Sequence, residues 1–256
     1  MASPTLTQTS QSNPFIRQLA SSNRTTRDKA LASLRTYLQR STAFSELDLL
    51  KLWKGLHYCM FMSDKPRNQQ QLARDLAALV DVLKTSSAQI AFISAFWKTM
   101  AREWSAIDSL RMDKYLYLLR CYISKGFEVC SKSKSWKKAA GEKDKVWEEY
   151  VEILVADGGP LSPQDLKVPV GIRLHVLDIW VDELENIDTE HKVDVEKVMA
   201  PVTLIKEKTL TKSVRVRADE ALEDERILSW NGDVAKANGD ADKEDVEEGD
   251  FAGFDD

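Results

Sequence analysis

At 256 residues, 43% hydrophobic and 30% charged, the chain can bury one sizeable core, which excludes a fibrous or low-complexity protein. No run of about 18 apolar residues occurs, which argues against a membrane span. The net charge of −5 is uneven: residues 231–256 carry ten Asp or Glu against two Lys, leaving 34 Lys and Arg against 31 Asp and Glu before them, a weak basic excess for a dedicated nucleic-acid binder.

The first thirteen residues are mostly Ser, Thr, Gln and Asn, so neither a secretory signal nor a place in the fold is expected. Pro14 opens a short helix carrying Phe15, Ile16 and Leu19. A second helix is expected over Arg24–Arg40, capped by Thr25 or Thr26, with Ala30, Leu31, Leu34, Tyr37 and Leu38 inward. The helix from about Ser45 to Met62 organises the rest. Leu49, Leu52, Trp53, Leu56, Cys59 and Met60 recur at helical spacing, and Leu50, Tyr58 and Phe61 form a second stripe, which predicts burial from more than one side. Gly55 in its middle predicts a backbone packed close against it. Ser45 to Asp48 resembles a capping box. Ser63 or Asp64 is expected to cap the next helix, and Pro66 suits its first turn.

Further elements are expected at Pro66–Lys84, then in an aromatic helix through Ile90, Phe92, Ile93, Phe96, Trp97, Met100 and Trp104. Asp108 starts another that runs towards Cys130. After the polar break at residues 131–135, Val146 to Leu154 is helical. Pro160, Pro163 and Pro169 make the next stretch a loop. Ile172–Ile187, Val193–Lys208 (bent or split by Pro201) and Lys212–Trp230 complete the series. Strands are not expected, because no segment alternates with a two-residue period.

Roughly ten helices with short polar turns imply antiparallel pairs, and pairs about 40 residues apart fall in the range of HEAT repeats. The fold class is therefore all-α: helix pairs stacked as a HEAT/ARM-like α-solenoid over residues 14–230. A disordered segment is expected at 1–13 and a disordered acidic tail at 231–256. Long exposed surfaces of this kind usually bind macromolecules.

Chemistry is sparse. His175, Asp178 and Asp182 share one helix face, but no Glu-x-x-His pair offers the remaining ligands of a metal site. A solvated face is the plainer reading. His57 and Cys59 are two apart and point in different directions. No nucleophile elbow or phosphate loop is present, and three cysteines without a signal suggest free thiols in a reducing compartment. No enzyme, cofactor, metal or small-molecule substrate is expected.

Two stretches are candidate contact sites. In Lys125–Lys145, Lys125, Lys132, Lys134, Lys137 and Lys138 are candidates to neutralise phosphates and Trp136 to stack on an unpaired base. The other reading is a solvated lysine loop with Trp136 folded onto the core. Arg102, Glu103, Asp108 and Arg111, with Lys54, Asp64 and Lys65, form either an intramolecular ion-pair and capping cluster or a docking ridge for a protein partner.

The run Leu52-Trp53-Lys54-Gly55-Leu56-x-Tyr58-Cys59-Met60-x-Met62-Ser63-Asp64-Lys65-Pro66 resembles the hallmark of the nucleolar ribosomal RNA-processing protein 1 family. Phe96-Trp97-x-x-Met100-x-Arg102-Glu103-Trp104-x-x-Ile107-Asp108-x-x-Arg111-x-Asp113-Lys114 resembles it too. So does Gly171-Ile172-x-x-His175-x-x-Asp178-Ile179-x-x-Asp182-Glu183-Leu184. Phe61 stands where that family is expected to have Trp, and the C-terminal region is short beside the long basic tails of animal members. The resemblance implies a non-catalytic assembly factor of the nucleus and nucleolus, acting in pre-60S particles on precursor rRNA. It also implies neighbours that include a Brix-domain protein and a WD40 propeller. Direct RNA binding through Lys125–Lys145 is the rival reading.

Overall fold

The computed structural model describes residues 14–40, 43–136 and 145–230. Eleven α-helices are described: α1 Pro14–Leu19, α2 Arg24–Leu38, α3 Glu46–Phe61, α4 Pro66–Ala77, α5 Ser86–Glu103, α6 Ser109–Ser131, α7 Val146–Val155, α8 Val170–Ile187, α9 Val195–Lys208, α10 Lys212–Leu222 and α11 Glu225–Trp230. No described residue lies in an extended strand, and none of these helices is long and apolar enough to cross a membrane. The expected tail, 231–256, and segment 1–13 lie outside the described residues.

Local chemistry starts and stops these helices. Ser45 Oγ accepts from the Asp48 amide at 3.2 Å and donates to the Asp48 carboxylate at 2.8 Å, closing the first turn of α3. Thr85 and Asp108 cap α5 and α6 in the same way. Four boundaries differ from expectation. Asn23, not Thr25 or Thr26, caps α2, because the helix already starts at Arg24 and the Asn23 side-chain oxygen accepts from the Thr26 amide at 3.1 Å. Neither Ser63 nor Asp64 caps α4; Lys65 occupies that position without a side-chain cap and Pro66 follows it. Proline has no N–H to satisfy there, so little is lost. The segment after α4 breaks at Ala78, giving a single 3-10 turn over Val80–Val82. Pro201 sits inside an unbroken α9, while the final stretch divides into α10 and α11 around Asp224.

The helices pack as a two-layered stack of pairs, the expected solenoid-like architecture. In one layer α1 lies on α3, α3 on α5, α5 on α7 and α7 on α9. In the other, α4 lies on α6, α6 on α8 and α8 on α10. Bonds within this second layer fix its direction. Arg74 reaches Tyr117, and Tyr122 donates to the Leu76 carbonyl. His175 bonds the Leu116 carbonyl, and Arg120 reaches Asp182 and Glu183. Partner numbers rise together along each pair, as they do again from Asp178–Arg217 in α10 to Glu185–Arg226 in α11, so α4, α6, α8 and the α10–α11 segment run parallel. All four begin at one edge, where the turn inside each helix pair lies.

Between the layers sits an aromatic core. Trp53 meets Phe92, Phe96 and Tyr122 with ring centroids 5.1, 4.9 and 5.1 Å away, and its indole N–H donates to the Phe92 carbonyl at 3.0 Å. Gly55 is needed where it stands: a Cβ there would lie 3.1 Å from the Ile16 Cα of α1, so the expected neighbouring backbone is α1. The second stripe of α3 is only partly covered, with Leu50 and Phe61 half-buried and Tyr58 exposed.

One device recurs at the turn edge. The fourth residue of α2, α4, α8 and α10 is Arg27, Gln69, Arg173 and Arg215, and each side chain donates back to a carbonyl of the preceding turn. Arg27 reaches Ser21 and Ser22 at 2.9 and 3.0 Å, and Gln69 reaches Ser63 at 2.9 Å. Arg215 reaches Thr209 at 2.9 Å, and the buried Arg173 reaches Asp165. Helix ends leave carbonyls without partners, and a long donor one turn into the next helix supplies one. In α6 the fourth residue is Met112, and the task falls to its neighbours. Arg111 holds Asp108, and Lys114 crosses to the Phe61 and Ser63 carbonyls, both at 2.8 Å.

Candidate interaction surfaces

The basic stretch is divided by the fold. Trp136 is only 3% exposed, with its ring centroid 6.0 Å from Phe127 and 5.6 Å from Trp147. It is a core residue and presents no face to a base, which corrects the stacking role considered for it. Its burial follows from the 3-10 turn over Lys134–Trp136, which brings the indole back onto the end of α6. Lys125 is also committed, bridging Asp81 at 2.9 Å and Glu128 across the second layer. Lys132 pairs with Glu128 at 2.7 Å but keeps 63% of its side chain exposed, and Lys134 is exposed. Lys137 and Lys138 lie outside the described residues.

The second group does converge. The ends of α3 and α5 and the starts of α4 and α6 meet at the turn edge, which places Asp64, Lys65, Arg102, Glu103, Asp108 and Arg111 together; Lys54 is exposed one helix turn before Tyr58 on α3. Arg102 pairs with Glu103 at 2.8 Å and Arg111 with Asp108. The Arg111–Asp108 contact also holds the Asp108 carboxyl below the usual carboxylate range. Phe61 ties the two turns together: the Arg111 guanidinium lies over its ring at 4.4 Å and the Lys114 ammonium at 5.9 Å. These cation–π contacts are worth about 0.5–1 kcal/mol at exposed sites. Burial pushes Lys114 down to about 8 and His57 down to about 4. A neutral His57 ring fits its stacking on Tyr115 at 5.0 Å.

The remaining candidates for chemistry are structural. His175 bonds a backbone carbonyl, Asp178 pairs with Arg217, and Asp182 is shared by Arg120 and Arg226. Asp178 and Asp182 therefore belong to an ion-pair ladder and His175 to a backbone contact, rather than to a ligand set. Cys59 and Cys121 are pushed up to about 11 by burial, so neither is a thiolate at neutral pH. A cleft of about 480 Å³ lies between the end of α2 and the start of α5, floored by Leu38, Leu49 and Ala88 and rimmed by Arg40 and Lys84; its lining holds no acid–base pair.

Sequence reasoning missed the aliphatic part of the turn edge. Leu110 is 93%, Leu166 77% and Leu210 84% exposed, each within four residues of the start of α6, α8 or α10. Leu166 and Leu210 lie in turns and Leu110 in the first turn of α6, so no helical period marks them.

A two-layered stack of helix pairs with a polar, leucine-bearing turn edge has the form of an all-α, solenoid-like protein. Residues 10–256 match the family described as "Nucleolar protein, Nop52", and the chain belongs to that family. It is 41% identical over 178 residues to the human "Ribosomal RNA processing protein 1 homolog B", an alignment covering 68% of this chain and 22% of that protein. Against the mouse "Ribosomal RNA processing protein 1 homolog A" it is 41% identical over 175 residues, or 66% of this chain and 33% of that protein. For the Caenorhabditis elegans "Ribosomal RNA processing protein 1 homolog" the figures are 30% over 190 residues, 73% and 45%. The matched region thus spans less than half of each of these relatives.

Proposed function

We propose that this chain is a non-catalytic scaffold in nucleolar precursors of the large ribosomal subunit, needed for precursor-rRNA processing because it holds other assembly factors in place. The observation that carries this reading is the turn edge. It gathers Asp64, Lys65, Arg102, Glu103, Asp108 and Arg111 on turns pinned by internal hydrogen bonds, a rigid polar ridge of the kind a protein partner recognises. Membership of a nucleolar family and likeness to proteins titled for rRNA processing support the cellular setting. A Brix-domain protein and a WD40 propeller are the proposed neighbours, and spacer removal from the large-subunit precursor RNA is the proposed stage. Where RNA is touched, Lys132, Lys134, Lys137 and Lys138 are the proposed contacts, as phosphate partners only.

The test is purification of the tagged full chain from nuclear extract, with and without nuclease. Preribosomal proteins that stay bound after RNA digestion are expected. Loss of every protein partner on digestion would overturn protein-mediated scaffolding. Charge reversal at Lys134, Lys137 and Lys138 is expected to lower crosslinking to rRNA while the protein partners remain.

A further inference from the structure

Leu110, Leu166 and Leu210 lie on three successive turns of one edge, because α6, α8 and α10 run parallel and pack side by side. Trp104, in the turn before α6, packs against Gly171 at the start of α8, where a Cβ would lie 3.4 Å from the indole nitrogen. The starts of α6 and α8 are therefore neighbours, and α10 packs beside α8. Each leucine-bearing segment is also stiff. Asp165 accepts from the Gly158 and Lys167 amides, both at 2.9 Å, and its carbonyl is held by the buried Arg173, so Leu166 stands on a fixed loop. The buried Thr209 accepts from the Thr211 amide at 3.3 Å and from Arg215, which fixes Leu210. Asp108 caps the turn beside Leu110. A flexible loop would lose backbone entropy on binding, and these fixed segments have less of it to lose.

We propose that this row of leucines is a docking edge for an acidic amphipathic helix of a partner protein, laid across the starts of α6, α8 and α10. The proposal rests on the scaffold reading and adds the surface and the chemistry of what it holds. Spacing is the first argument. Packed helices lie about 8–10 Å apart, and a guest helix advances about 10.5 Å in seven residues. Aliphatic residues at i, i+7 and i+14 of one helix face would thus meet the three leucines in turn.

Charge is the second. Lys65, Arg67, Lys167, Lys208 and Lys212 are exposed along or beside this edge, and no described residue forms an ion pair with them. Asp64, Asp108, Asp113, Asp157 and Glu207 are the exposed carboxylates nearby, and Asp108 is already paired with Arg111. The excess cation is reinforced by the positive ends of α4, α6, α8 and α10, which all point to this edge. Acidic residues flanking an aliphatic stripe complement that pattern. A nucleic acid would meet the charge but leave the leucines uncovered, which separates this surface from the lysines after α6.

The test places a photo-crosslinking benzoylphenylalanine at Leu110, Leu166 or Leu210 of the full chain in its nucleolar particle, with sites read by sequencing the crosslinked peptides. Crosslinks from all three positions into one acidic helix of one protein, stepping by about seven residues, are expected. Crosslinks to RNA, to residues 231–256 of this chain, to a second copy or to three unrelated segments would overturn the proposal. So would an absence of crosslinks from a chain that still purifies with preribosomal proteins. A chain that recovers no such proteins at all would instead defeat the scaffold reading. Replacing the three leucines together by Asp is expected to cut recovery of the crosslinked partner at least roughly tenfold. The thermal melt should not move, since the side chains touch little of their own fold; Leu47→Asp is the exposed control.

Discussion

Between α3 and α6 the helices meet through aromatic rings, whereas from α8 to α11 they meet through guanidinium–carboxylate pairs over small aliphatic side chains. Trp53, Phe92, Phe96 and Tyr122 form one mutual cluster, in which Phe96 and Tyr122 stack at 3.9 Å. At the far end Val198, Val202, Ile205, Val214 and Ala218 provide the buried surface. Arg217 and Arg226 tie the outer faces to Asp178, Asp182, Glu185 and Asp224. Burial of rings is indifferent to salt, while half-exposed ion pairs are screened. The two ends of one continuous stack should therefore differ in how they fail.

The aromatic end is broken most directly by Trp53→Ala. A fully buried indole is lost together with its bond to the Phe92 carbonyl, and about 3–5 kcal/mol of destabilisation is expected for such a truncation. Calorimetry should show a large fall in Tm that 0.5 M salt, on the order of a few-ångström screening length, does not alter. A fall no larger than that of an exposed substitution would mean that the cluster does not carry the central packing.

The same region carries a pH signature. Burial holds the folded pKa of His57 at about 4, below its unfolded value of about 6.5. The folded state thus takes up its proton later than the unfolded one. Stability is full above about 6.5 and falls as pH drops towards 4, by up to about 3 kcal/mol. His57→Phe, which keeps the ring against Tyr115, should flatten the denaturation midpoint over that window. An unchanged slope would assign the acid sensitivity elsewhere.

How much of this was legible in the sequence differs between the same regions. Helical periodicity revealed α3, α5 and α6 because large apolar residues repeat every three or four positions. Gly55 announced a close backbone because glycine in a helix is costly without one. The two readings of Trp136 stayed open because periodicity stops at residue 131, and only the turn shows the indole folding inward. The pinning donors Arg27, Gln69, Arg173 and Arg215 were invisible for another reason. Their role depends on being fourth in a helix, and helix starts read from sequence are uncertain by about two to four residues. The exposed leucines were passed over because a lone apolar residue in a turn or at a helix start has no period to mark it.

A smaller effect is expected where the aromatic packing passes to its second cluster around Phe127, Tyr150 and Trp180. A Cβ on Gly126 would fall 2.1 Å from the Tyr150 hydroxyl, and Tyr150 is fully buried. Gly126→Ala gains helix propensity of about 1 kcal/mol but forces that ring to move, at about 1–3 kcal/mol. Net destabilisation is expected by urea unfolding, and Gly126→Ala with Tyr150→Phe should recover part of it. A more stable single variant would show that α7 shifts freely against α6.

The ion-paired end answers the comparison from the other side. Arg226 joins Asp182, Glu185 and Asp224, and the Asp224 contact foremost raises the guanidinium pKa. About a third of the arginine side chain remains exposed, so solvent screening leaves a contribution of only about 0.5–1 kcal/mol. Arg226→Met keeps the aliphatic stem and removes the charge. Hydrogen exchange should then quicken in α10 and α11 while α3 and α5 stay protected, and added salt should bring the parent chain towards the variant. That convergence separates the mechanisms: screening weakens a pair that is already partly solvated but leaves buried rings untouched. If salt instead loosened both ends equally, the division between aromatic and ionic ends would collapse, and the stack would open as one cooperative unit.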